Sequence, residues 1–205
     1  MRQPAFIVIS DGKGDGKRLL HTAMTLSSII DVFMLREKQW TARQMWEWGE
    51  ALLAAGFPPQ KLFINDRADV ALALSAGGVH LAGHSLPAGF VKQIVPPEMK
   101  IGVSVHSLAE ARHAASAGAH YVMYGHIFPS PSKPGLPARG IEALKEMVMQ
   151  MPIPVIAVGG IDAVNVATVL DTGCAGVAVI SAVMGAADPR LAARNIAGRL
   201  HSAAN

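Results

Sequence analysis

The stretch Ile153-Pro154-Val155-Ile156-Ala157-Val158-Gly159, with its successor Gly176-Val177-Ala178-Val179-Ile180-Ser181, decides the fold. Both are short β-branched runs, nearly continuous in apolar residues rather than alternating. A strand that is apolar on both faces belongs to a parallel sheet covered on both sides. Between the two runs lies Asn165–Thr172, a helical pattern stopped by Gly173. Strand, helix and strand in this order form one right-sized crossover unit.

Working outward, the same kind of run recurs at Ala5–Ser10, Asp31–Arg36, Leu62–Asn65, Gly78–Ala82, Ile101–Ser104 and His120–Gly125. Eight runs in 205 residues give about 26 residues each, the size of a strand plus a helix. Thr41–Ala55 opens on a Thr cap candidate and ends before Gly56, and Ser107–Ala117 has Glu110 placed for a capping box. Ile141–Met151 is a further helical pattern, whereas Phe128–Arg139 is rich in Pro and Ser and reads as a long loop. The alternation predicts an α/β protein with a TIM (β/α)8 barrel, a single domain over residues 1–205. An open doubly wound sheet is the alternative. It favours a GxGxxG turn after the first strand, and Ser10-Asp11-Gly12-Lys13-Gly14-Asp15-Gly16 lacks that spacing.

Composition narrows the function. Hydrophobic residues make up 51% and charged residues 16%, which excludes disorder, and an aromatic share of 5% calls for an aliphatic core. The net charge of +3 is scattered, without the basic stripe of a nucleic-acid binder, and suits a pocket for small anions. The uncharged run between Asp171 and Asp188 is interrupted by glycines and falls short of the roughly 18 residues that span a bilayer. The apolar stretch Phe6 to Ile9 is too short for a signal peptide. The single Cys174 lies in an apolar run and reads as a packed thiol, in keeping with a cytoplasmic location. A homo-oligomer is compatible with the sequence.

Barrels carry their chemistry at the C-terminal ends of the strands. Here those ends read Ser10-Asp11, Arg36-Glu37-Lys38, Asn65-Asp66-Arg67, Gly83-His84-Ser85, Ser104-Val105-His106, Gly125-His126, Gly159-Gly160 and Ser181-Ala182. Gly159, Gly160, Ser181 and Ala182 bring small residues to the last two ends, where backbone N–H groups hold phosphate in many barrels. Arg36 and Lys38 point the same way on an extended segment, with Glu37 opposite, and suit either an anion or a solvated, ion-paired loop. Asp66 suits Mg²⁺ or a helix cap. His84, His106 and His126 fit no known zinc signature. His126 stands best for moving a proton, because an imidazole both takes and gives one near neutral pH.

Six stretches together resemble the thiamin phosphate synthase superfamily along nearly the whole chain. They are Leu35-Arg36-Glu37-Lys38, Ile64-Asn65-Asp66-Arg67 with the residues to Ala73, Gly78-Val79-His80-Leu81, Ile101-Gly102-Val103-Ser104-Val105-His106, Ile127-Phe128-Pro129-Ser130-Pro131-Ser132-Lys133 and Ile156-Ala157-Val158-Gly159-Gly160-Ile161. In the synthase branch, Mg²⁺ is held by the Asp of the third-strand motif and by an Asp in a fourth-strand Gly-Gln-Asp. Here the latter reads Gly83-His84-Ser85, so the second carboxylate is missing. The strand ends Ala82-Gly83-His84-Ser85, Ser104-Val105-His106 and Tyr124-Gly125-His126 resemble instead the thiazole tautomerase branch, the TenI-like proteins.

That resemblance implies an isomerase that aromatises a carboxythiazole phosphate without cofactor or metal, with His126 as acid and base. Gly159, Gly160, Ser181 and Ala182 would hold the phosphate, and Ser130, Ser132 and Lys133 match the thiazole-contacting loop. Arg36, Lys38, Asn65 and Ser104 match the synthase's pyrimidine pyrophosphate contacts, and His106 joins them as a substrate residue. The alternatives are a thiamin phosphate synthase, which would use Mg²⁺ through Asp66, and a non-catalytic binder of thiazole phosphate.

Overall fold

The structure, a computed structural model, describes residues 4–130 and 135–202. Eight parallel strands close into a barrel in chain order: β1 (Ala5–Ile9), β2 (Val32–Leu35), β3 (Leu62–Asn65), β4 (Gly78–Leu81), β5 (Lys100–Val105), β6 (Tyr121–Gly125), β7 (Val155–Val158) and β8 (Gly176–Val179). β1 pairs with β2 on one side and β8 on the other, so the sheet closes on itself. The barrel expected from the sequence is the barrel observed.

Nine α-helices surround the strands among the described residues: α1 (Gly16–Leu26), α2 (Ala42–Ala54), α3 (Ala68–Ala73), α4 (Ala88–Ile94), α5 (Leu108–Ser116), α6 (Gly140–Gln150), α7 (Val166–Leu170), α8 (Ser181–Met184) and α9 (Pro189–Ser202). None is long and apolar enough to cross a membrane. Among the strands, two ends differ from expectation by two residues, the others by one at most. β7 starts after Pro154, which has no N–H for the ladder but whose carbonyl accepts from Val122 N at 3.0 Å. The run Gly176–Ser181 leaves the strand after Val179, and Ser181 already opens α8.

Helix caps are built from local side chains. At α2 the box is complete: Gln44 N donates to Thr41 Oγ1 (3.2 Å) and Thr41 N to Gln44 Oε1 (2.9 Å). At α5 it is shifted. Glu110 N donates to Ser107 Oγ (3.2 Å), but the Glu110 carboxylate accepts from His106 N (2.7 Å), one residue further out.

Alternation along the strands sends one set of side chains outward and the other into the barrel. The outward set, with Phe6, Val8, Phe33, Leu35, Ile64, Val79 and Val122, packs under the helices as one large core. Cys174 lies in that core, as expected of a packed thiol, and burial raises its pKa. The inward set is smaller: Ile7, Ile9, Met34, Phe63, Tyr121, Met123, Ile156 and Ala178. Asn65 and His80, register partners on β3 and β4, are buried with Thr22, Ser10, Glu37 and Thr172 as the buried polar residues.

Candidate active site

A cavity of about 460 Å³ opens at the C-terminal mouth of the barrel. His80 and Ser104 stand among its lining residues. Gly102 on β5 is the register partner of both His80 and Tyr121. A Cβ at Gly102 would lie 2.0 Å from Tyr121 Cζ, so only glycine lets that ring lie across the strand. Tyr121 thereby stacks on His80 and reaches its Nδ1 at 3.0 Å, while His80 Nε2 meets Ser104 Oγ at 2.8 Å. Burial, and then the Arg36 charge, hold the His80 pKa at about 4; burial raises that of Tyr121. Both are therefore neutral at pH 7. In one tautomer Tyr121 donates to Nδ1 and Nε2–H donates to Ser104, which turns the Ser104 proton toward the cavity; in the other the chain runs in reverse. The strand-end reading missed His80, because it lies one residue before the strand's end inside an otherwise apolar run.

Arg36 and Lys38 both line the cavity, as their spacing suggested. Glu37 faces away and is buried, where its carboxylate accepts from Gly12 N (3.1 Å) and Gly14 N (2.7 Å). Among the described residues Glu37 forms no salt bridge, and the glycine-rich turn after β1 spends these N–H groups on Glu37 rather than on a ligand. Ser10 Oγ accepts from Arg36 N at 2.7 Å and fixes the end of β2 to that of β1. Burial lowers the Arg36 pKa and the Glu37 charge opposes that shift; an arginine stays charged in either case.

Gly159, Gly160 and Ser181 line a second arc of the mouth, with Ala182 just beyond it, packed on the core. Gly159 has φ +100° and Gly160 φ +66°, a backbone that favours glycine. A Cβ at Gly159 would also meet His126 Cβ at 2.3 Å, and one at Gly160 the Pro129 carbonyl oxygen at 2.6 Å. The two glycines thus seat the loop that follows β6. His126 lines the cavity, follows a cis peptide bond from Gly125, and donates from Nε2 to the Leu136 carbonyl at 3.2 Å. Arg139 holds the far end of that loop, donating from Nε to the Gly125 carbonyl at 3.0 Å. Asn65, His106 and Ser130 also line the cavity. Ser132 and Lys133 lie outside the described residues.

Asp66 stands apart from this lining, in the left-handed region at φ 70°. Its Oδ1 accepts from Ser85 Oγ at 2.5 Å, and its Oδ2 lies 3.5 Å from His84 Nε2. The Ser85 hydroxyl in turn accepts from Ala82 N at 2.8 Å. Asp66 caps no helix, and Arg67 pairs with Asp69 rather than with it. His84 and His106 also line the mouth, but no three His, Cys, Asp or Glu among the described residues are grouped to hold a metal ion.

A family model described as thiamine monophosphate synthase matches residues 6–183. The chain belongs to the thiamine monophosphate synthase family. The thiamine-phosphate synthase of Roseiflexus sp. (strain RS-1) is 43% identical over 203 residues, covering 96% of this chain and 85% of that one. The thiamine-phosphate synthase of Methanoculleus marisnigri is 44% identical over 201 residues, or 97% and 95% of the two chains. Among solved structures, a thiamine phosphate pyrophosphorylase from Pyrococcus furiosus superposes with a TM-score of 0.85 at 35% identity, covering 98% of this chain and 97% of that one. A 3-hexulose-6-phosphate synthase, at 21% identity and a TM-score of 0.73, shares the fold alone.

These relatives correct the expected activity. The isomerase reading rested on short matches around three strand ends. Proteins 43–44% identical over 91–97% of the chain carry the synthase name, and that overturns the thiazole tautomerase assignment. For this member of the thiamine monophosphate synthase family, the resemblance implies Mg²⁺ at the Asp66 end of the rim. Mg²⁺ is bound through one or two carboxylates together with phosphates and water. Asp66 is the carboxylate that the resemblance assigns to it, Ser85 and His84 face its two oxygens, and the described lining contains no Asp or Glu. This donor set does not fit a protein-held Mg²⁺.

Proposed function

We propose that this protein is a thiamine-phosphate synthase, a transferase that couples hydroxymethylpyrimidine diphosphate to thiazole phosphate. The observation that carries the reading is identity of 43–44% to proteins of that name over 91–97% of the chain. The mouth of the barrel supports it with two arcs suited to phosphate, Arg36 with Lys38 and Gly159 with Gly160 and Ser181, in one cavity.

In this reading, Arg36 and Lys38 hold the diphosphate and Gly159, Gly160 and Ser181 the thiazole's phosphate. Asn65 and Ser104 face the pyrimidine, with the Ser104 hydroxyl oriented by His80. A bond from the pyrimidine's methylene carbon to the thiazole nitrogen forms as the carbon–oxygen bond to diphosphate breaks. The diphosphate departs with the electron pair. Positioning two bound reactants and meeting the leaving group's charge are what the chain supplies. Ser130 contacts the thiazole from the loop after β6, and His126 anchors that loop through Leu136.

Purified protein mixed with the two precursors, with and without Mg²⁺, tests the proposal. Thiamin phosphate and diphosphate should appear in equal amounts, and Lys38→Gln should raise the KM for the pyrimidine substrate about tenfold. Failure to form thiamin phosphate under either condition would remove it.

A further inference from the structure

The carboxylate that the resemblance assigns to a metal is already used inside the protein. The Ser85 hydroxyl accepts from Ala82 N (2.8 Å), which leaves its single proton for Asp66 Oδ1 at 2.5 Å. The other carboxylate oxygen faces His84 at 3.5 Å. Asp66 thus ties the end of β3 to the turn after β4, and it lies outside the cavity lining. The lining itself joins the cations Arg36 and Lys38 to hydroxyls, an amide and imidazoles, with no acidic side chain among the described residues. An ion of charge +2 would find neutral or positive groups there, whereas a diphosphate finds two cationic side chains lining the same cavity.

Resting on the synthase reading for the identity of the anion, we infer that this chain binds and releases diphosphate without a protein-held divalent cation. As the carbon–oxygen bond breaks, the electron pair stays on diphosphate and its charge is met by Arg36 and Lys38. Ser85 sets this behaviour. Its Oγ lies within hydrogen-bond distance of Asp66, so an acidic side chain at position 85 would place two carboxylates side by side, the arrangement that retains Mg²⁺.

Calorimetric titration with inorganic diphosphate, once in EDTA and once in excess Mg²⁺, decides the point for four proteins. The wild-type protein and Asp66→Asn, whose amide oxygen still accepts from Ser85, should bind with Kd values within about threefold in both buffers. Lys38→Gln should weaken binding about tenfold in both. Ser85→Asp should bind at least about tenfold more tightly with Mg²⁺ than with EDTA. Wild-type binding seen only with Mg²⁺ and lost in Asp66→Asn overturns the inference, as does a lack of binding in both buffers. If diphosphate binds in EDTA but the two precursors never couple, the synthase reading fails while the metal-free anion site stands.

Discussion

At the scale of single residues, His80 is where acidity acts. Its folded pKa is about 4 against an ordinary 6.5, through burial first and the Arg36 charge second. An unfolded chain takes up that proton below about 6.5 while the folded chain refuses it until about 4, so stability falls as the pH drops through this window. From pH 7 to pH 5 the contribution of this one group is about 2 kcal/mol. Urea unfolding at the two pH values should show that loss in the wild-type protein and a smaller one in His80→Gln. Equal losses in both would mean that His80 is not held neutral by the fold. His80 illustrates what a sequence conceals, since its meaning comes from Tyr121 and Ser104 on other strands and from the space left by Gly102. Arg36 and Lys38 were legible by contrast, because strand parity is a local rule.

At the scale of elements, the turn between β1 and α1 hangs on Glu37. Two backbone N–H groups, at 3.1 and 2.7 Å, meet one buried carboxylate at the end of the next strand. Glu37→Gln keeps a single acceptor oxygen and loses the charge. It should cost about 1–2 kcal/mol in chemical denaturation and speed amide exchange at Gly12 and Gly14. Unchanged exchange at both amides would show that the carboxylate does not hold this turn. A glycine-rich segment alone does not reveal such a partner, which lies 23–25 residues away. α2, α5, α6 and α7 were readable from sequence patterns and flanking caps or stops, as with Thr41 and Gly56 at α2, whereas the bounds of α1 and α9 were not read despite their length. α3 and α4 were not read either: six or seven residues show little of a helical period, and neither has a side-chain cap or a glycine stop such as Gly173 gives α7.

At the scale of the whole molecule, one core beneath the helices runs around the entire barrel, from Phe6 to Leu200. A barrel with a shared core should lose its structure in a single step. Its three tryptophans, Trp40, Trp46 and Trp48, all belong to α2 or its approach. Fluorescence from that one flank and far-ultraviolet circular dichroism from all helices should therefore trace superimposable urea transitions. An earlier fluorescence transition would divide the barrel into separately melting parts. The eightfold alternation was readable because each strand repeats the same apolar pattern; the assignment of activity was not, because it turns on a few rim residues within a shared scaffold.

The pairing of β1 with β8 has a further consequence for handling the protein. A closed ring of strands exposes no row of unpaired backbone N–H and C=O groups, and such rows are the templates on which chains polymerise edge to edge. Edge-to-edge polymerisation of this protein must therefore wait for the ring to break, so fibre-specific dye binding on heating should follow the loss of circular dichroism.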